Sequence, residues 1–123
     1  MKDAYPEYHK HLLKQWARLA RDLRGPMAAF AQLNGAATLP GALDPKMKQL
    51  IALGIAISAH CEGCIAYHVH DAVRAGASRQ EILETLGIAI LMGGGPAVVY
   101  ACQALEALDQ FAPPEQATDS SGG

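Results

Sequence analysis

Residues 44–76 read DPKMKQLIALGIAISAHCEGCIAYHVHDAVRAG, and this stretch predicts two consecutive helices at the centre of the fold. Asp44 can cap a helix, and the proline after it suits the first helical position. From Met47 to Ala59 the residues are apolar on nearly all sides, which is typical of a helix buried among other elements. A second helix is predicted from near Cys61 to Ala75, where a glycine stops it.

Helix start and stop signals on either side of this stretch predict the rest of the architecture. Ser78 and Glu81 have the spacing of a capping box, and Asn34 with the glycine after it marks a turn. Apolar residues at helical spacing predict further helices over 7–24, 27–33, 78–92 and 96–111. No strand-like alternation occurs. The sequence therefore predicts an all-α bundle of about six helices.

The length and composition fit one small domain. The chain has 123 residues, of which 50% are hydrophobic and 6% aromatic. We expect a single helical domain over 1–112, with its motif core over 45–95, and a disordered polar tail over 113–123. So much apolar surface on so small a domain also predicts a homo-oligomer.

The charge balance and the length of the apolar runs argue against nucleic acid and membrane as partners. The formal net charge is −2, so nothing in the composition favours nucleic acid. No apolar run reaches the roughly 20 residues that span a bilayer, and the polar N-terminus has no apolar signal core. We expect a cytoplasmic protein that binds neither nucleic acid nor membrane.

The chemistry of the chain is concentrated in Cys61-x-x-Cys64-x-x-x-His68. On a continuous helix these three side chains fall on one face. Cys61 stands at or near the helix start, where free N–H groups and the helix dipole favour a thiolate. His68 can take the proton from Cys64. The motif therefore predicts a redox-active dithiol that forms a disulfide and is recycled.

Two other interpretations of the motif remain open. The cysteines and the histidine could simply be packed in the core. They could also bind zinc, although a structural zinc site has four ligands and a second Cys/His pair is missing. Haem attachment would need histidine where Ile65 stands. We expect no metal and no cofactor, and we expect the third cysteine, Cys102, to be a core residue on an apolar helical face.

Residues 48–58, the motif from Cys61 to His68 and residues 75–78 together resemble the alkylhydroperoxidase D-like branch of the carboxymuconolactone decarboxylase family. The resemblance covers about 45–95. It implies an all-helical bundle that assembles as trimers or hexamers. It also implies a thiol-dependent peroxidase or disulfide reductase, which acts on a small hydroperoxide and is recycled by an external dithiol. The peroxidatic cysteine of that family falls on Cys64, the resolving cysteine on Cys61 and the histidine on His68.

The chain departs from this family at Gln49. The proton relay of the family usually includes a glutamate about twelve residues before the first cysteine, and counting back from Cys61 reaches Gln49. A glutamine can position a water molecule but cannot accept a proton at neutral pH. The candidate catalytic residues are thus Cys64, Cys61, His68 and Gln49. With glutamine in place of glutamate, we expect either weak peroxidase turnover or thiol–disulfide exchange with a different partner.

Two rival functions fit the same fold. One is a non-redox, carboxymuconolactone decarboxylase-like enzyme, which would not need the cysteine pair. The other is a redox-sensing assembly protein, in which a disulfide changes the contacts between subunits. Dithiol-dependent turnover of peroxide distinguishes the redox enzyme from both.

Overall fold

Six α-helices and no strand make up residues 4–114, the part of the chain that the computed structural model describes. The predicted all-α class and helix number are confirmed. In chain order the helices are α1 (Tyr5–Asp22), α2 (Arg24–Ala37), α3 (Pro45–Ser58), α4 (Glu62–Arg74), α5 (Arg79–Gly93) and α6 (Gly95–Phe111). Most of the predicted tail, from residue 115 onward, lies outside the described residues.

The predicted caps define the starts of the central helices. The Asp44 side chain accepts a hydrogen bond of 2.8 Å from the backbone N–H of Met47 and so begins α3. At the start of α5, the Ser78 hydroxyl accepts from the N–H of Glu81, and the Glu81 carboxylate accepts from the N–H of Ser78. Both starts are therefore fixed by local sequence alone.

Helices α3 to α6 enclose the core, and α1 packs across α4 and α6. The large side chains with least exposure come from five helices and are Tyr5, Leu53, Ile57, Ile65, Val69, Ile82 and Leu108. Between them lie small buried residues, such as Ala66 in α4 and Ala104 in α6, which let helix axes approach closely. Helix α2 packs against α1, and none of its residues is buried.

The second helix is longer than predicted, because it continues through the expected turn at Asn34. Its carbonyl groups find partners beyond the helix end. The Thr38 hydroxyl donates to the Asn34 carbonyl at 2.7 Å, and the Lys48 ammonium donates to the Ala37 carbonyl at 2.9 Å. Lys48 also donates to the carbonyl of Leu39, two residues beyond the helix, at 2.6 Å. These bonds satisfy the end of a helix that the local sequence does not favour.

Two expectations about burial are wrong. Within a single chain, helix α3 buries only one face, and its opposite face leaves Ile55 63% exposed. Cys102 is exposed, because the alanines of α6 and Leu108 occupy the inward face of that helix. Helices with apolar residues all round do not reveal which face meets the core. Within the described residues, no helix is long and apolar enough to cross a membrane.

Candidate active site

A tight link between α3 and α4 delivers Cys61 to the start of α4. The N–H of His60 donates to the Ile57 carbonyl at 3.1 Å, and the N–H of Cys61 donates to the Ala56 carbonyl at 3.2 Å. This pair of bonds is the Schellman pattern, which needs a left-handed residue that is usually glycine. His60 takes that conformation with a φ of 57°, and its ring stacks on Tyr100 of α6 at 4.6 Å.

The cysteine pair lies at the beginning of α4. Cys61 is the N-cap residue, and its Sγ accepts a hydrogen bond from the backbone N–H of Cys64 at 3.2 Å. A disulfide bond joins the Sγ atoms of the two cysteines. Cys61 therefore precedes the helix with an extended backbone. The prediction from spacing that Cys61 shares one regular helical face with Cys64 and His68 is wrong in this respect, because the helix begins one residue after Cys61. The helix start still favours negative charge on sulfur here.

His68 and Gln49 meet across α3 and α4. The Gln49 Oε1 atom lies 2.8 Å from Nδ1 of His68. With that oxygen as acceptor, Nδ1 donates and Nε2 keeps a free lone pair. Burial lowers the pKa of His68, and the Asp71 carboxylate opposes this in part. His68 is therefore a neutral imidazole near neutral pH, which can accept a proton.

A cavity of about 470 Å³ opens over these groups. Cys61, Cys64 and His68 lie on its α4 side, whereas Gln49 lies behind the imidazole. The opposite wall comes from the hairpin of α1 and α2. Residues that line that wall are Leu12, Leu13, Trp16, Phe30, Ala31 and Asn34.

Sequence reasoning missed the hairpin wall. Trp16 lies 5.9 Å from Phe30 and 6.3 Å from Tyr67, measured between ring centroids. No motif marks Trp16 or Phe30 as part of a site, and helical spacing alone fits a structural anchor. Burial raises the pKa of Tyr67, with a further contribution from Asp71, so this tyrosine keeps its phenolic proton.

A second histidine is buried where α1 meets α4 and α6. The ring of His9 stacks on that of His70 at 4.1 Å and meets the edge of Phe111 at 5.6 Å. Burial is the main cause that lowers the pKa of His9, and His70 adds to it, while Asp71 acts in the opposite direction. Folding therefore favours the neutral form of His9 as well as of His68.

This arrangement predicts that stability falls on mild acidification. The pKa values of His9 and His68 in the folded chain lie below the ordinary value of 6.5, so below that pH the unfolded chain binds more protons. We expect the urea midpoint to fall between about pH 7.5 and about pH 5.5. The variant His9→Leu should show a weaker pH dependence, and His11→Asn on the exposed side of α1 should not. An unchanged wild-type midpoint would contradict the prediction.

The fold and the site define a class: small all-α proteins with a Cys-x-x-Cys pair and a histidine in an apolar cavity at the start of a helix. Residues 25–107 match the model of the carboxymuconolactone decarboxylase family. The chain belongs to this family. Within the described residues, no group of three or more His, Cys, Asp or Glu side chains is placed to hold a metal ion.

Two relatives cover most of the chain. An uncharacterized protein of Cupriavidus necator is 38% identical over 96 residues, which are 78% of this chain and 85% of that protein. An uncharacterized protein in the cox locus of Paracoccus denitrificans is 40% identical over 83 residues, which are 68% of this chain and 75% of that protein.

Two solved structures share the fold. A carboxymuconolactone decarboxylase family protein of Legionella pneumophila, in its apo form, has a TM-score of 0.85 and 43% identity, and covers 89% of this chain and 98% of its own. A family member from Thermotoga maritima has a TM-score of 0.69 and 31% identity, and covers 79% of this chain and 89% of its own. An involvement in the antioxidative response has been suggested for the Thermotoga protein.

Proposed function

We propose that the protein is a thiol-dependent peroxidase of the alkylhydroperoxidase D-like branch, which reduces hydroperoxides through Cys61 and Cys64. The observation that carries the proposal is the placement of Cys61 and Cys64 at the start of α4, in a cavity that His68 also lines. A dithiol that closes to a disulfide gives up two electrons to its oxidant, and an external dithiol can reduce it again. The suggested antioxidative involvement of the Thermotoga relative agrees with this function.

The first step is oxidation of Cys64. Nε2 of His68 takes the thiol proton, and the thiolate attacks the terminal oxygen of the hydroperoxide. The O–O bond breaks, a sulfenic acid forms on Cys64, and the leaving alkoxide takes the proton from His68 to become an alcohol. The Gln49 amide oxygen orients the imidazole through its hydrogen bond with Nδ1. The amide neither gains nor loses a proton during the step.

The second step closes the disulfide. The Cys61 thiolate, which the helix start favours, attacks the sulfur of the sulfenic acid, and the hydroxyl leaves as water with one proton. An external dithiol then reduces the disulfide by exchange and is itself oxidised. Each cycle therefore converts one hydroperoxide and one dithiol into an alcohol, water and a disulfide. The cycle needs a reducing compartment, which fits the cytoplasmic location that the sequence predicts.

A thiol count tests this function. The reduced chain holds three cysteines, and only two belong to the pair. One equivalent of hydroperoxide should leave one titratable thiol, at the exposed Cys102, and an added dithiol should restore all three and sustain peroxide consumption. If all three thiols persist beside unconsumed peroxide, the protein is not a peroxidase.

We also propose that another copy of the chain covers the outer face of α3 and α5. Ile55 and Ile88, each 63% exposed, lie on a groove of about 580 Å³ between these helices. An apolar surface of this kind marks a subunit interface, and the family resemblance implies trimers or hexamers. Sedimentation should give three or six times the chain mass of 13.0 kDa, and a 13.0 kDa monomer would contradict the proposal.

A further inference from the structure

The exposed side of α1 carries charges of one sign. Lysine and arginine recur there every three or four residues, which places them on one face of the helix: Lys10, Lys14, Arg18 and Arg21. All four residues are exposed, and together they form the basic face of α1. The acidic residues of this helix, Glu7 and Asp22, lie near its two ends. A continuous positive face is thus left toward the solvent.

The chain itself does not neutralise the basic face. Among the described residues, its lysines and arginines form no ion pair with a carboxylate, and Arg18 donates instead to the amide oxygen of Gln15 at 3.0 Å. Lys10 and Arg18 each stand four residues from Lys14, so like charges repel along the helix. A helix face that is merely solvated gains stability by mixing the two signs at this spacing. The unmixed face favours an anionic ligand from outside the chain.

This positive charge is local and runs against the charge of the whole chain. Residues 10–24 hold five of the ten lysine and arginine residues and one of the twelve acidic residues, whereas the whole chain has a formal net charge of −2. The net charge by itself would attract a cationic partner. An anionic partner is attracted by α1 and weakly repelled by the rest of the chain, which specifies where it docks.

The basic face adjoins the candidate active site. On the same helix, Leu13 lines the cavity that contains Cys61 and Cys64, and both cysteines are partly exposed. Leu13 is itself 41% exposed, so it lies at the rim of that cavity. Lys10 lies about one turn before Leu13, and Lys14 follows it directly. A partner held by this face therefore stands beside the disulfide.

Resting on the proposed function, we infer that the basic face of α1 docks an acidic dithiol protein, which reduces the Cys61–Cys64 disulfide. A thiolate of the partner attacks one sulfur of that disulfide, the S–S bond breaks, and a mixed disulfide forms. The partner's second thiolate attacks the mixed disulfide and releases the dithiol of this chain. The cysteine pair gains two electrons and two protons, and the partner's dithiol loses them and becomes a disulfide.

An anionic membrane is the other surface that basic helices bind. Such helices lie in the interface with their apolar side chains among the lipids. The apolar side chains of α1 have the opposite orientation, since Leu12 and Trp16 line the cavity and the basic face lies on the solvent side. A membrane would meet the charges alone, and it would supply no dithiol. These observations favour the protein partner.

Reduction of the disulfide by charged peptides tests the inference. The probes are two synthetic peptides with the same Cys-Gly-Pro-Cys core, flanked by glutamates in one and by lysines in the other. Each rate constant is divided by that of the same peptide with hydroxyethyl disulfide, which is uncharged, because flanking charges also change thiol reactivity. At low salt the normalised rate of the acidic peptide should exceed that of the basic peptide by at least about tenfold. The ratio should approach one in roughly 1 M salt, where the Debye length is about 3 Å.

Charge reversal on α1 locates the effect. Lys14→Glu should lower the ratio by about fivefold, and it places a glutamate between Lys10 and Arg18 at a spacing that supports the helix. Lys14→Arg should keep the ratio within about twofold of wild type. Arg74→Glu is the control for net charge, because Arg74 is exposed at the far end of α4 from the cysteine pair. A faster basic peptide, or an equal loss in Arg74→Glu, would overturn the inference.

Titration of the chain's thiols measures reduction directly and needs no peroxide. If no dithiol supports peroxide consumption but the acidic peptide still reduces the disulfide faster, the peroxidase proposal fails and the docking inference stands. If dithiothreitol sustains peroxide turnover while both peptides react at equal normalised rates, the peroxidase stands and the docking inference fails. Sedimentation with phosphatidylglycerol vesicles measures the membrane alternative. Binding that Lys14→Glu abolishes, without any advantage for the acidic peptide, would assign the basic face to a membrane.

Discussion

Replacing Cys64 with serine is expected to lower dithiol-dependent consumption of peroxide by at least about a thousandfold, because a serine hydroxyl does not attack the O–O bond. The remaining consumption should equal that of the dithiol alone. Cys102→Ser provides the matched control, since Cys102 is an exposed cysteine of α6, and its turnover should stay within about twofold of wild type. Initial rates of peroxide loss measure both effects.

The partner cysteine should behave differently. In Cys61→Ser the attack by Cys64 remains possible but no disulfide can close within the chain. We therefore expect one rapid turnover, followed by a sulfenic acid that a dimedone probe labels at position 64. The opposite pattern, with turnover lost in Cys61→Ser at the first attack and sulfenic acid on Cys61 in Cys64→Ser, would assign the attack to Cys61. The hydrogen bond from the N–H of Cys64 to Cys61 Sγ makes this a real alternative.

Replacing His68 with asparagine is expected to lower turnover by about 10²–10⁴-fold, the usual contribution of a positioned general base. Asparagine keeps a hydrogen-bonding group near Gln49 but cannot take the thiol proton. The pH dependence provides a second measurement. Because burial lowers the pKa of His68, the wild-type rate should decline only below its ordinary value of 6.5, and His68→Asn should lack that decline. A wild-type rate in His68→Asn would exclude His68 as the base.

The variant Gln49→Glu tests the same pair from the other side. A carboxylate at the position of the Gln49 amide, 2.8 Å from Nδ1, would favour the imidazolium and raise the pKa of His68, against the effect of burial. We expect the acidic decline in rate to move to higher pH. Turnover above that decline should increase, because the imidazole becomes a stronger base. A decline at the wild-type pH would show that Gln49 does not act on His68.

The sequence predicts those parts of the site that depend on local signals. Asp44 and Ser78 begin their helices through bonds to residues three positions away, so a short stretch determines them. The hydrogen bond between Gln49 and His68 joins two helices, and no local signal predicts it. Only the proton relay of the resembling family assigned both residues to one site.

The hairpin wall and the exposure of Cys102 depend on how helices pack. Helix α6 carries apolar residues on more than one face, and its local sequence does not state which face is inward. Likewise, Trp16 meets Tyr67 because α1 packs against α4, where the ring of His9 also contacts Tyr67. Such features follow from the whole assembly of helices.

The link that carries His60 also holds the backbone on both sides of Cys61. Cys61 is fixed by backbone bonds on both sides, from its N–H to Ala56 and from Ile65 N–H to its carbonyl, and neither bond depends on the sulfur atoms. The backbone around the pair can therefore keep one shape in the dithiol and the disulfide. With these bonds in place, opening and closing of the disulfide would require rotation of the two cysteine side chains and would leave the start of α4 where it is.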